Sequence, residues 1–356
     1  MNNNTKFLAL FALVNLILIS GLCYRKYTAE SVVHQPAPPP VQQPIEPEPE
    51  PEPTYTFEDA VASITASELK KDLEYIASDE CGGRSPGSAG YNRAADYWKK
   101  RMTDAGLQVM EQPCAGCKNV FAWLDGENKN EIVVVGAHMD HLGQRGSSVY
   151  NGADDNGSGT VALLEIAQAC AMLKDELKRT IVFQAYTAEE RGLVGSRYYC
   201  NNPMFPEDNP DIKKHIAMIN LDMIGRLGRE TTMRALEEEA YNAVDLREYL
   251  SQLSSRYSCT RVARVGVGGG SDHSSFRSKG VPVVFFHTGT HGDYHRPSDT
   301  VDKINYEGME QISKLCFELA WMCCQEGAVG ARMITPDEGL PTHDHDHPDV
   351  PFPVVR

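Results

Sequence analysis

Apolar positions fall into short runs of two periods along this chain. From Ser67 to Ala77 they recur every three or four residues, with Leu69, Leu73 and Ile76 on one face, and predict an amphipathic helix. Ser78 to Gly90 is rich in Gly and Ser and reads as a loop. Tyr91 to Gly106 reads as a second helix closed by its glycine. Asn119–Leu124 and Glu131–Val135 are β-rich runs separated by a turn at Asp125-Gly126. Ser158 to Leu173 returns to the helical period, with Leu163, Leu164, Ile166 and Ala167 facing inward. Three more apolar strand runs follow, Thr180–Tyr186, His215–Leu221 and Val281–Phe286, and then an amphipathic helix from Glu307 to Cys324. Apolar strands that alternate with helices predict an α/β fold of three layers, α/β/α, around a mixed, mostly parallel sheet.

The two ends lack this pattern. An apolar run from Phe7 to Leu22 follows Lys6. It is long for the core of a signal peptide and short for a membrane span, which needs about 20 residues. Residues 1–23 therefore read as a signal anchor or a signal peptide. Residues 24–55 form a Pro/Glu-rich linker, extended at about 3.1 Å per residue. A semi-rigid spacer behind an apolar segment makes most sense if the segment stays attached. The expected location is periplasmic or otherwise extracytoplasmic, with a membrane tether. The folded domain is expected over residues 56–327. Residues 328–356 form a tail with Thr342-His343-Asp344-His345-Asp346-His347, a metal-binding composition in an otherwise solvated acidic end.

Composition narrows the partners. The 356 residues carry a net charge of −15, which excludes nucleic acid, whose phosphates need clustered Lys and Arg. Ten cysteines are too few for a disulfide scaffold at this length and suit buried free thiols. Cys114 and Cys117 form a CxxC with no second pair at zinc-ribbon spacing, and read as a loop disulfide or two idle thiols.

The chemistry sits where the strand runs stop. Gly136-Ala137-His138-Met139-Asp140 ends one run, and Gly152-Ala153-Asp154-Asp155-Asn156-Gly157-Ser158-Gly159 follows it. The next runs lead into Glu189-Glu190, into Asp222, and towards His291 and His295. In open α/β sheets, sites form beyond the carboxyl ends of the strands. His138, Asp155, Glu190, Asp222 and His295 together offer two imidazoles and three carboxylates, a set suited to two zinc ions bridged by a carboxylate. A hydroxide bridging the pair would be the nucleophile, and a further carboxylate must move its proton. Spacing alone does not say which of Glu189 and Glu190 binds metal and which moves the proton.

These segments resemble peptidase family M28, the co-catalytic zinc aminopeptidases. The resemblance rests on His138-Met139-Asp140, on Gly152 to Gly159, on Glu189-Glu190 and on Asn220-Leu221-Asp222-Met223. It extends to Tyr294-His295-Arg296-Pro297-Ser298-Asp299-Thr300 and to the early Gly83-Arg84-Ser85-Pro86-Gly87-Ser88, all in one order over roughly residues 65 to 325. It implies a mixed sheet of about eight strands, two zinc ions and peptide substrates cut at the amino end. It implies that His138 and Asp222 hold one zinc, that Glu190 and His295 hold the other, and that Asp155 bridges. Glu189 would be the general base, Tyr294 a hydrogen-bond donor to the tetrahedral intermediate, and Asp140 the residue that orients His138. A cis peptide between Asp155 and Asn156 is implied too.

Several neighbours compete with these residues. His141 and His273 occupy positions that the family does not use as ligands. His291 competes with His295, and Asp154 with Asp155; the trailing Asp299-Thr300 and the Ser158-Gly159 register favour His295 and Asp155. Asp272 reads equally as a support for the site or as a turn residue. Glutaminyl cyclase chemistry, or a non-catalytic peptide-binding role, would keep the fold and change the function.

Overall fold

The computed structural model describes residues 54–114, 116–228, 234–237 (backbone only), 246, 249–250, 252–253, 256–257 and 270–325. The predicted leader, the His/Asp tail and all but the last two residues of the linker lie outside the described residues. No helix among the described residues is long and apolar enough to cross a membrane.

The helical side of the fold begins with α1 (Phe57–Ser63), where Thr56 and Asp59 cap each other's backbone N–H groups. Helix α2 (Ala66–Ile76) buries Leu69, Leu73 and Ile76, the face that the periodicity marks. Helix α3 (Ala89–Asp104) starts two residues before the predicted position, because Ser88 accepts a hydrogen bond from Tyr91 N and stops the loop there. The loop between them contains one tight turn, Asp79–Arg84, with Gly82 and Gly83 left-handed. A side chain at Gly83 would meet Gly143 O at 2.4 Å, so only glycine lets the turn lie against that segment.

The strands are β1 (Gln108–Cys114), β2 (Cys117–Leu124), β3 (Asn128–His138), the small hairpin β4 (Gly143–Arg145) and β5 (Ser148–Tyr150), β6 (Arg179–Tyr186), β7 (His215–Leu221), β8 (Arg234–Glu237) and β9 (Val283–His287). Helix α4 (Gly159–Met172) leads to β6, α5 (Val194–Asn201) lies between β6 and β7, α6 (His273–Arg277) precedes β9, and α7 (Tyr306–Cys324) ends the domain. Among the described residues seven strands form the main sheet, in the order β1-β2-β6-β3-β7-β9-β8, beside an expectation of about eight. The central four, β6-β3-β7-β9, are mutually parallel, and the flanking strands run antiparallel. The sequence pattern does not predict strand β1: Gln-Val-Met-Glu-Gln-Pro-Cys has no period of two and contains Pro113. At a sheet edge one face stays wet and the missing N–H costs no ladder bond.

The central strands separate two cores. Along β3, Val133, Val135 and Ala137 pack into the larger core with α2, α3, α4 and α7, while Ile132 and Val134 point into the smaller one with Tyr199 and Phe276. That period of two, covered on both faces, gives the predicted three layers. No disulfide joins the eight described cysteines to one another, and all but Cys117 are buried. Cys114 and Cys117 pair directly across the β1–β2 turn.

Parallel pairing decides where the site forms. His138 ends β3 beside Tyr186 of β6, and Gly136 pairs with Asn220 of β7. Two residues further on, that register sets His138 level with Asp222. Strands β3, β6, β7 and β9 thus deliver His138, Glu189-Glu190, Asp222 and the loop to His295 at one edge.

Candidate metal centre

His138 is buried at the end of β3. Its Nδ1 lies 3.2 Å from the carbonyl oxygen of Asp140, an acceptor only, so Nδ1 donates and the Nε2 lone pair faces the site. Nε2 is 3.4 Å from Asp222 Oδ1 and 3.6 Å from Asp155 Oδ1. On the other side of Asp155, His295 Nε2 is 3.2 Å from its Oδ2 and 3.0 Å from Glu190 Oε2. The structure therefore brings all five proposed ligands together, with the two oxygens of Asp155 facing different clusters.

These groups fit metal ions better than they fit one another. Asp155 Oδ2, Glu190 Oε1, Asp222 Oδ1 and His295 Nε2 are buried atoms with no hydrogen-bond partner. Orphaned polar atoms are rare in a folded protein. Two donors at about 2.1 Å from one tetrahedral zinc lie about 3.4 Å apart, close to the 3.4 and 3.6 Å spacings around His138. Among the described residues, the ion pairs of Asp155, Glu190 and Asp222 are all with histidines.

Asp140, buried beside His138, acts differently from expectation. Its Oδ1 stands 3.9 Å from His138 Nδ1 and instead accepts the N–H of Glu189 at 3.0 Å. The carboxylate positions the glutamate pair, and its own main-chain carbonyl orients the histidine. Burial raises the Asp140 carboxyl to about 7, against the pull of His138. Burial likewise raises Glu189 to about 9, opposed by His138 and reinforced by Asp272, Asp222 and Glu190. Glu190 goes the other way: burial acts to raise it, but His141 and His295 beside it hold it well below the usual carboxylate range. The two adjacent glutamates thus occupy opposite environments. Tyr294 stacks on His295 with centroids 3.8 Å apart, and burial together with the neighbouring carboxylates pushes its phenol up, which keeps it a donor.

The support for these side chains was not foreseen. Asp299 Oδ2 accepts the N–H groups of Asp154 and Asp155 at 2.9 and 3.0 Å, and its Oδ1 is held by Arg226 at 2.8 Å. Asn156 bonds Leu221 O and receives the N–H groups of Gly159 and Met223, tying the loop to β7. The Asp155-Asn156 peptide is cis. Buried Arg84 donates only to carbonyls, those of Met139, Ile76, Asn151 and Gly152, and so clamps the approaches to His138 and Asp155. Arg84 and Asp299 both lie in quoted motifs, and for Arg84 a lone charge among the small residues of Gly83 to Ser88 was the available signal.

The competing residues have found other work. Asp154 and His291 bond each other at 3.0 Å, and Asp154 also accepts Gly225 N, so both stand outside the ligand set. His273 stacks on Phe285 at 4.3 Å. Asp272 is fully buried, and both of its oxygens lack a hydrogen bond. His141 differs from the other four: it lies within the cluster of Asp155 and Glu190.

Comparison with known proteins agrees with this geometry. The profile described as "Peptidase family M28" matches residues 119–320. The chain is 31% identical over 242 residues to leupeptin-inactivating enzyme 1 of Streptomyces exfoliatus, covering 65% of this chain and 50% of that protein. It spans about half the length of the curated relatives it matches. The LapA aminopeptidase of Legionella pneumophila superposes with a TM-score of 0.64 at 26% identity, over 78% of each chain. A glutaminyl cyclase of Porphyromonas gingivalis shares the fold, with a TM-score of 0.61 at 20% identity over 72% of this chain and 97% of that one.

Proposed function

The chain belongs to peptidase family M28, and from that premise we propose that it is a zinc metalloaminopeptidase that removes N-terminal residues from peptides. The observation that carries this reading is the pair of donor clusters sharing Asp155, one with His138 and Asp222, the other with Glu190 and His295. A two-ion centre is the natural occupant of two such clusters. Bound zinc would act as a Lewis acid on the scissile carbonyl and make water acidic near neutral pH. Glu189, fixed through its N–H by Asp140, would take the proton of the attacking water and pass it to the leaving amine. Tyr294, 40% exposed at the mouth of the site, would donate its hydroxyl to the developing oxyanion.

The test is hydrolysis of a panel of aminoacyl-nitroanilides by the full chain, with and without added zinc, beside a peptide-library digest read by mass spectrometry. Loss of single N-terminal residues supports the reading. Cyclisation of N-terminal glutamine with no cleavage would give the glutaminyl cyclase alternative. Zinc uptake with neither reaction would indicate a peptide-binding member of the fold. We further propose that residues 1–23 tether the protein outside the cytoplasm through the Pro/Glu linker. Native protein found soluble, with its N-terminus near Tyr24 and no lipid, would refute that tether.

A further inference from the structure

We propose that Cys114 and Cys117 are a reversible dithiol–disulfide pair, and that their disulfide staples the hairpin which anchors the segment of Glu189 and Glu190. The two residues close the β1–β2 hairpin and are directly paired across it. Directly paired residues of an antiparallel ladder have Cα atoms about 4.5–5.5 Å apart, and a disulfide needs about 4.4–6.8 Å. Their side chains leave the sheet on the same face. The Cys117 thiol turns back across the hairpin end and donates to the carbonyl oxygen of Cys114 at 3.0 Å. The backbone thus already has the spacing that the bond requires. Of the eight described cysteines, Cys117 alone is not buried. Cys114 is 4% exposed, and burial, with Cys117 beside it, pushes its thiol up to about 12. Because the thiolate is the attacking form, an external disulfide meets Cys117 first. The Cys117 sulfur breaks that S–S bond, forms a mixed disulfide and releases one small thiol. Cys114 then attacks the Cys117 sulfur, closes the internal disulfide and releases the second. The protein thiols give up two protons and two electrons, and the small disulfide takes them up as two thiols.

What the pair holds follows from the period of two. Gln112 and Asn119 are paired two residues further along the same strands and share the face of the cysteines. Asn119 Nδ2 donates to Gln112 Oε1 and to Gly195 O, both at 3.0 Å, and Asn119 Oδ1 accepts the N–H of Thr187 at 3.1 Å. Gln112 donates in turn to the carbonyl oxygen of Asn202 at 2.8 Å. Thr187 and Gly195 bracket the segment that carries Glu189 and Glu190, and Asn202 follows α5. One rung of the hairpin therefore grips both ends of that segment, and the cysteines form the rung outside it. Hairpin ends fray first, because few contacts hold them. A covalent outer rung keeps the gripping rung paired, whereas the dithiol form relies on hydrogen bonds alone.

The experiment uses the full chain, equilibrated with glutathione and glutathione disulfide, alkylated, and digested with trypsin. Both cysteines fall in one peptide, Met102–Lys118. In excess glutathione disulfide that peptide should be lighter by two hydrogens and carry no alkyl group, and dithiothreitol should return it to the doubly alkylated form. Cys114→Ser should carry one glutathione on Cys117, whereas Cys117→Ser should leave Cys114 unmodified. The disulfide form should melt about 2–6 °C above the dithiol form, the shift expected for closing a short loop. Cys114→Ser should melt alike in both buffers. A peptide that stays dithiol in excess glutathione disulfide, or a Cys117 joined to a different cysteine, would overturn the pairing. Glutathione on Cys114 in Cys117→Ser would overturn the order of attack, and equal melting of the two parent forms would overturn the staple. The parent's peptide map and melts need no variant, so a misfolded variant leaves the test intact.

Discussion

Two groups of buried acids lie in this domain, and they are neutralised in different ways. Between α2, α3 and α4, Asp72 and Glu165 are shut away from water, but Arg101 reaches both, at 2.6 and 3.5 Å. Tyr97 donates to Asp72 at 2.6 Å, and Gln168 donates to Glu165 at 3.1 Å. At the strand ends, Asp140, Asp155, Glu190, Asp222 and Asp272 crowd together, and the ion-pair partners found among the described residues are histidines. Burying a charge is costly unless it is paired. The helical cluster brings its own cation. The strand-end cluster does not, and its geometry has the spacing of atoms that converge on ions from outside. Acid count alone would not tell the two apart. The nature of the nearest partner does.

The comparison breaks most sharply under chelation. Removing divalent metal should abolish peptidase activity and lower the melting temperature, since a ligand of the native state stabilises it; added zinc should restore both. A protein unaffected by a strong chelator would make the two clusters equivalent. Next in size is Glu189→Gln, which leaves every proposed ligand in place. It should lose about 10²–10⁴ in kcat while keeping its zinc content. Glu190→Gln should instead lose zinc and regain part of its activity when zinc is in excess, because a neutral amide is a poor zinc ligand. Atomic absorption beside turnover for both variants decides, and the opposite outcome would exchange the two roles.

The helical cluster should respond in stability alone. Arg101→Met leaves Asp72 and Glu165 without their cation and should cost about 3 kcal/mol in a denaturant melt, with zinc content and kcat unchanged. The smallest expected effect is a pH dependence. Burial, with Asp72 adding and Arg101 opposing, raises Glu165 to about 7 from 4.5. Its neutral form is the one that the fold prefers, so the favourable contribution is complete below about pH 4.5 and lost as pH rises through 7. Glu165→Gln should therefore melt higher than the parent above pH 7, and the gap should close below pH 4.5.

Much of this was legible in the sequence, for identifiable reasons. Strands β6 and β7 lie within a residue of their predicted limits, because buried parallel strands are continuous apolar runs with little else to read. The five proposed ligands follow those runs at strand ends, so finding the strands nearly finds the site. Edge strand β1 and the β4–β5 hairpin were missed because a half-wet strand resembles a loop. The supports were missed for a different reason. Arg84 bonds carbonyls of Met139 and Gly152, and Asp299 bonds N–H groups of Asp154 and Asp155; backbone atoms carry no letter in a sequence. His141 sits in a position that the family does not use for a ligand, and its place beside Asp155 and Glu190 is visible only in the structure.

The left-handed backbone at Ala188, Met223 and His295 has a practical meaning for anyone wishing to harden this protein. Their φ angles are 53°, 55° and 56°, and each is a proposed ligand or lies within two residues of one. Such residues are held against their own preference at about 1 kcal/mol or more each. His295 cannot be exchanged without losing a donor, and Met223 fills the interior with its side chain. Ala188 has little side chain to lose and sits one residue before Glu189. Glycine there would relax the turn, offset in part by the greater freedom it gives the unfolded chain. Of these three positions, 188 is the one where thermal robustness can be sought without removing a ligand or opening a cavity.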